Sequence, residues 1–141
     1  MNKLAIVYWS GTGNTEKMAL CMEEGAKEVG GEVALLGPAE FSAARLKEFD
    51  VVAFGCPAMG AEGLEESEFE PMFAALENSL SGRKIALFGS YGWGDGQWMR
   101  DWVERCGNAT LFDEEGLMVN EAPGAAEQET CRDLGRKLAV W

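Results

Sequence analysis

Short apolar runs alternate along this chain with segments in which apolar residues recur every three to four positions. The apolar runs predict buried β-strands, and the helical periodicity between them predicts crossover helices. The predicted strands are Leu4–Trp9, Glu32–Leu36, Val51–Cys56, Lys84–Gly89 and a fifth that is split into Ala109–Phe112 and Leu117–Val119. The predicted helices are Asn14–Val29, Phe41–Phe49, Glu70–Leu80, Gln97–Cys106 and Ala125–Ala139.

This alternation predicts an α/β fold in which helices cover both faces of a five-stranded parallel sheet, a doubly wound arrangement. No repeat, linker or low-complexity segment interrupts the pattern, so we expect residues 1–141 to form a single domain. Ligands of such sheets bind outside the carboxyl ends of the strands. The loops that follow the first, third and fourth strands are therefore the candidate sites.

The loop after the first strand, Ser10–Thr15, combines hydroxyl, amide and glycine residues and leads into a helix. The first amides of a helix have no partner within it and its dipole favours an anion there, so the loop predicts a phosphate site. An ordinary helix cap needs one hydroxyl or amide residue, whereas this loop has four. It lacks the lysine of GxxxxGK[ST], and Glu16 replaces the third glycine of GxGxxG. A terminal phosphomonoester fits best.

Two other loops carry unusual residues. The segment Cys56–Glu62 places Met59 at a turn beside a glycine, which is also what a plain loop contains. The segment Gly89–Gly96 sets Tyr91 and Trp93 among four glycines that offer them no packing. Aromatic rings in such a loop gain most by covering the flat face of a ligand; the alternative is that Trp93 folds back on the core.

Composition restricts the function classes. The chain has 24 acidic and 12 basic residues, a net charge of −12. This charge disfavours nucleic acid and anionic membranes as partners and favours basic proteins. There is no histidine, so His-based zinc sites and Ser-His-Asp triads are excluded. Four scattered cysteines without a CxxC pair predict reduced thiols, and no apolar run reaches the ~20 residues of a membrane span. We expect a cytoplasmic protein.

The acidic run Glu62–Glu70 has two interpretations. It is either a docking surface for a basic partner or no more than a solvated loop and helix start, where acidic residues are stabilising in themselves.

Three motifs together resemble the short-chain flavodoxins: Ser10–Thr15, Gly55–Gly60 and Leu87–Gly94. The resemblance covers essentially the whole chain and implies a flavodoxin-like domain with strand order 2-1-3-4-5, the order for which flavodoxin is itself the standard example. It implies a carrier of non-covalently bound FMN, with low potential, that cycles mainly between semiquinone and hydroquinone. Such a carrier shuttles electrons between reductases and acceptors with basic docking surfaces, as a monomer in transient complexes.

The resemblance also implies roles for single residues. The Ser10–Thr15 loop binds the FMN phosphate, Met59 and Trp93 pack on opposite faces of the isoalloxazine, and Glu62 accepts a hydrogen bond from flavin N3. Backbone groups of Ala61, Glu62 and Gly92 meet the polar edge of the ring. Asn120 lies near the ribityl hydroxyls. The full set of implied cofactor-binding residues is Ser10, Gly11, Thr12, Gly13, Asn14, Thr15, Pro57, Ala58, Met59, Gly60, Ala61, Glu62, Ser90, Tyr91, Gly92, Trp93 and Asn120.

In the family, the peptide after the residue that matches Gly60 turns over on one-electron reduction, so that its carbonyl accepts a hydrogen bond from flavin N5. Ala61 departs from the pattern, because Gly, Asn or Asp tolerates a left-handed conformation better. The departure implies weaker stabilisation of the semiquinone. Trp9 matches no family role that we can name, and we expect it to pack under the phosphate loop.

Other functions on this topology remain to be weighed. An FMN-dependent NAD(P)H:quinone oxidoreductase needs a nicotinamide site and usually a longer chain that oligomerises. A phosphoacceptor regulator needs carboxylates at the ends of strands one and three, where Trp9-Ser10 and Cys56-Pro57 stand. A low-molecular-weight phosphatase needs a CxxxxxR loop, which neither Cys21 nor Cys56 begins. No residue is expected to be catalytic in the acid-base sense.

Overall fold

Parallel strands form the centre of the computed structural model, which describes all 141 residues. The strands are β1 Lys3–Tyr8, β2 Glu32–Leu36, β3 Val51–Gly55, β4 Lys84–Tyr91, β5 Thr110–Leu111 and β6 Leu117–Asn120. The strand order β2-β1-β3-β4-β5 confirms the predicted topology, and β6 pairs with β4 beyond β5. β5 and β6 therefore occupy one position in the sheet, as two pieces of a split fifth strand.

The chain has five α-helices, and two of them are shorter than predicted by more than one residue. The segment predicted as a helix over Phe41–Phe49 contains one turn, because Phe41 is extended and both phenylalanines at its ends turn their rings into the core. The predicted helix Glu70–Leu80 passes into a 3₁₀ turn at Glu77–Ser79. The helices are α1 Asn14–Glu28, α2 Ala43–Leu46, α3 Phe69–Leu76, α4 Gln97–Arg105 and α5 Ala125–Val140.

Apolar residues are buried on both faces of the sheet. One face carries an aromatic cluster in which Phe54, Phe73 and Trp102 meet edge to face. On the other face α1 and α5 approach closely, since a Cβ on Gly25 or Gly135 would lie 1.9 Å from a backbone carbonyl of the facing helix. This burial on two faces is why the strands have near-continuous apolar sequences.

β4 is longer than predicted and extends through Ser90 to Tyr91. Its last residues pair with β6, with Tyr91 opposite Asn120, so the aromatic loop (Tyr91–Gly96) and the loop after β6 begin side by side. All four cysteines are free and buried. None of the helices combines the length and the apolar character that a membrane span requires.

Candidate functional site

A cavity of about 610 Å³ lies at the carboxyl edge of the sheet, where the loops after β1, β3, β4 and β6 converge. Three of these loops are the ones that the sequence singled out. The cavity is lined by Trp9, Gly11, Thr12, Asn14, Pro57, Ala58, Met59, Gly60, Ser90, Tyr91, Gly92, Glu121 and Ala122.

The loop after β1 lines the cavity through Gly11, Thr12 and Asn14, and several of its amides are unpaired. Gly13 takes a left-handed conformation, with φ 99°, and precedes α1. The Ser10 hydroxyl accepts hydrogen bonds from the amides of Gly13 and Glu16, each over 3.2 Å. The amides of Gly11, Thr12, Asn14 and Thr15 make no hydrogen bond within the chain. Four free donors at a helix N-terminus form a site for an anion.

Two hydroxyls lie together behind this loop. The Thr15 and Ser90 hydroxyl oxygens are 3.0 Å apart, and the Ser90 amide donates to Thr15 Oγ1 over 3.3 Å. Both residues are buried, and Ser90 also lines the cavity. The pair joins the start of α1 to the end of β4, so the phosphate loop and the aromatic loop are fixed relative to each other.

A tight turn forms the second wall. The Glu62 amide donates to the Met59 carbonyl over 2.8 Å, which closes a β-turn with Gly60 and Ala61 at its central positions. Neither central residue has a positive φ; Glu62 does, at 56°. Types II, I′ and II′ are therefore excluded for this turn. The left-handed residue is Glu62, whereas the sequence analysis considered that conformation only at Ala61.

The Glu62 side chain reaches across to the aromatic loop. Its Oε2 accepts a hydrogen bond from the Trp98 amide at the start of α4, over 3.2 Å. A Cβ on Gly94 would lie 2.0 Å from Glu62 Oε1, so a side chain there would push this carboxylate away. Gly94 also has a φ of 97°, which glycine adopts without strain.

The aromatic loop keeps one ring inside and one outside. Tyr91 is half-buried, lines the cavity and packs against Trp98 with ring centroids 5.6 Å apart. Trp93 is 72% exposed, so the alternative that it folds back on the core is wrong. The Asn120 side-chain amide donates to the carbonyls of Tyr91 and Gly92 over 3.3 and 2.9 Å and ties this loop to the end of β6.

Comparison with known proteins agrees with this architecture. A family model described as flavodoxin matches residues 6–135. The chain belongs to the flavodoxin family. It is 48% identical over 137 residues to a flavodoxin of Clostridium beijerinckii, covering 96% of this chain and 99% of that one. A flavodoxin of Megasphaera elsdenii is 43% identical over 134 residues, 95% of this chain and 96% of its own. The solution structure of two-electron reduced Megasphaera elsdenii flavodoxin superposes with a TM-score of 0.85 at 41% identity, covering 98% of this chain and 99% of that one.

Flavodoxins bind FMN and are electron-transfer proteins rather than enzymes, with redox proteins as their partners. The cavity fits this cofactor by the chemistry of its lining. The free amides of the loop after β1, with the Thr12 hydroxyl and the Asn14 side-chain amide, suit a phosphate. Residues of the second and third loops offer apolar contact to a ring. The lining includes Pro57, Ala58, Met59 and Tyr91.

Some predicted residues lie in the cavity wall and others do not. Four predicted residues lie outside the lining: Ala61, Glu62 and Trp93 in the flanking loops, and Asn120 at the end of β6. Among the residues of the phosphate loop, Ser10, Gly13 and Thr15 shape it from behind. Trp9, expected to pack beneath the loop, lines the cavity, and so do two residues that the sequence did not single out, Glu121 and Ala122. The only available signal was their place directly after a strand.

One residue of the acidic run fits neither of its two interpretations. Glu65 is buried and so is neither a docking charge nor a solvated one. Its carboxylate accepts hydrogen bonds from the amides of Ser67, Glu68 and Phe69 at 2.8–2.9 Å and from the Ser67 hydroxyl. Burial raises the pKa of Glu65, but these hydrogen bonds outweigh it and lower the pKa to about 2. Glu65 caps α3 and is not a surface charge.

Cys56, which follows β3, is not a nucleophile. Burial raises the pKa of its thiol to about 12, and its sulfur accepts a hydrogen bond from the Glu65 amide over 3.4 Å. A thiol that stays protonated and packed in this way is unreactive at neutral pH.

Proposed function

We propose that this chain acts as one domain that holds FMN in the cavity and carries single electrons between redox proteins. On this proposal it works at low potential, mainly between the one-electron-reduced and the fully reduced cofactor. The observation that carries the proposal is the set of free amides at Gly11, Thr12, Asn14 and Thr15, beside a cavity that Pro57, Ala58, Met59 and Tyr91 also line. The bound flavin supplies the redox chemistry.

The chain's own residues bind and orient the cofactor. The phosphate loop, together with Ser90, would hold the phosphomonoester without a cationic partner. Met59 would cover one face of the ring and Trp93, exposed on its glycine loop, the other. Ala61, Glu62 and the backbone of Gly92 would meet the polar edge, while Pro57 and Ala58 form the wall between them.

Asn120 would act through the aromatic loop. Both hydrogens of its amide are used on the carbonyls of Tyr91 and Gly92, so we assign it to positioning that loop rather than to donating to the ribityl hydroxyls.

Negative charge around the cavity would lower the reduction potential. Glu121 lines the cavity, while Glu62 and Asp95 belong to the two loops beside it. An electron added to a ring in this setting is disfavoured by these carboxylates and by the phosphate.

The partners proposed here are reductases and acceptors with basic docking surfaces. With a net charge of −12, the chain would attract them over distance and form transient complexes as a monomer. The four free thiols suit a reducing compartment, and we propose the cytoplasm.

An assay with and without a reductase tests the carrier function against the quinone reductase alternative. The pure protein, loaded with FMN, should not turn over NAD(P)H with a quinone at an enzyme-like rate, but should pass electrons once a separate reductase is added. Robust turnover without a reductase would contradict the carrier function.

A further inference from the structure

Trp9 connects the phosphate loop to the acidic run. Its backbone amide donates to the Gly55 carbonyl over 3.0 Å, which continues the pairing of β1 with β3. Its indole nitrogen donates to Glu68 Oε2 over 2.9 Å. The far edge of the ring lies beside Gly11, where a Cβ would stand 3.0 Å from Cη2 and 3.3 Å from Cζ3. The indole therefore fills the space next to Gly11, which lines the cavity and whose amide has no hydrogen bond within the chain.

Glu68 is itself held in place. Its amide donates to the buried carboxylate of Glu65 over 2.8 Å, at the residue that precedes α3. The contacts thus run from the Glu65 cap through Glu68 and the Trp9 indole to Gly11. Gly11 lacks a side chain and has the widest backbone freedom of any residue, so a rigid neighbour is needed to keep its amide in one orientation.

We propose that Trp9 is a positioning residue for the phosphate site, and that Glu68 fixes its indole so that the amides of Gly11 and Thr12 stay turned toward a phosphomonoester. This inference rests on the proposed function for the identity of the ligand. It goes further in giving the acidic run a supporting role: one of its carboxylates helps to bind an anion, although its charge alone would oppose that.

Three variants separate the hydrogen bond from the charge. Glu68→Ala removes both. Glu68→Gln removes the charge but keeps an oxygen that accepts the indole hydrogen bond. Glu66→Ala is the control, since it removes an exposed charge from the same run without touching Trp9.

The first measurement uses inorganic phosphate as the probe on the flavin-free chain, followed through the NMR amide resonances of Gly11 and Thr12. Wild type, Glu68→Gln and Glu66→Ala should bind phosphate with similar affinity. Glu68→Ala should bind about fivefold more weakly than Glu68→Gln, the cost of one hydrogen bond. Equal affinities of Glu68→Ala and Glu68→Gln would overturn the inference, as would a wild-type chain in which phosphate leaves these two resonances unmoved.

The second measurement compares FMN with riboflavin, which lacks the phosphate. Glu68→Ala should weaken FMN binding about fivefold while the riboflavin affinity stays within twofold of wild type. Equal losses for both flavins would show a general structural effect and overturn the positioning role. If wild type binds neither flavin, the proposed function fails, and the phosphate titration still decides the role of Trp9.

Discussion

The side-chain amide of Asn120 donates to the backbone carbonyl of Gly92 over 2.9 Å, across the end of the sheet. The same nitrogen donates to the Tyr91 carbonyl over 3.3 Å, and the amide of Glu121 reaches that carbonyl over 2.7 Å. The loop that carries Trp93 is thus held by backbone and side chain from the end of β6.

Replacing Asn120 with Ala should therefore weaken flavin binding about three- to tenfold, since two exposed hydrogen bonds are lost. Lumiflavin, which has no ribityl chain, should lose affinity in parallel with FMN if Asn120 acts through the loop. Fluorescence titration of the flavin-free protein measures both, with Asn108→Ala as a control for an exposed amide away from the cavity. A loss confined to FMN would return Asn120 to the ribityl contact.

Glu65 should make stability depend on acidity. Its pKa is lowered in the folded chain from 4.5 to about 2, so its contribution is complete above pH ~4.5 and is lost as the pH falls toward 2. Glu65→Gln should reduce the free energy of unfolding by about 1–2 kcal/mol at neutral pH, the usual cost of a lost helix cap, and by less at low pH. Denaturant unfolding across this range measures the difference. A deficit that stays constant with pH, or that Glu66→Gln reproduces, would contradict the capping role.

The regular parts of the fold could be predicted from the sequence because local pattern and tertiary environment agree there. β2 has its predicted bounds and α1 starts where predicted, at Asn14, because glycines lie beside these ends. The short bounds of α2 could not be predicted, since Phe41 and Phe49 fit a helical period yet are buried from non-helical backbone.

The motif loops could be predicted as a site, whereas the residues that hold those loops in place could not. Glu65 and Glu66 look alike in the sequence, and only the three-dimensional path of the chain buries the first and exposes the second. Likewise, Glu62 and Glu121 take positive φ, which a glutamate gives no reason to expect. Trp9 was visible as a residue after a strand, but its bond to Glu68 joins positions 59 residues apart.

The turn at Gly60 and Ala61 should control the first one-electron step. Turning its central peptide over into a type II turn requires positive φ at Ala61, which costs on the order of 1–2 kcal/mol for a residue other than glycine and less for Asn. Ala61→Asn should therefore raise the midpoint potential of the first couple, which is between the oxidised and the one-electron-reduced flavin. Gly60→Thr should lower it, because a β-branched side chain narrows the backbone freedom of Gly60.

Potentiometric titration of the FMN-loaded variants reads these shifts directly. A Cβ on Gly60 meets nothing within 4 Å, so Gly60→Thr should retain FMN and report on the turn itself. Unchanged potentials in both variants would mean that the loop only packs on the ring.

Docking should depend on exposed charge near the cavity. Glu65 is buried, so reversing its charge would not test docking. Glu66, in the same acidic run, is exposed and is the residue to reverse. Glu66→Lys should slow electron transfer from a basic reductase at low salt and have little effect at high salt, where exposed charges are screened. Glu104→Lys, the same reversal near the end of α4, serves as the control. Stopped-flow rates that are equal for both variants at low salt would rule out a docking role for this run.

The flavin content of the purified protein tests the central claim most directly. A visible absorption spectrum, followed by denaturation and chromatography of the released cofactor, should show a yellow protein that yields one FMN per chain. A colourless protein that also fails to take up added FMN would contradict the assignment of the cavity as a flavin site.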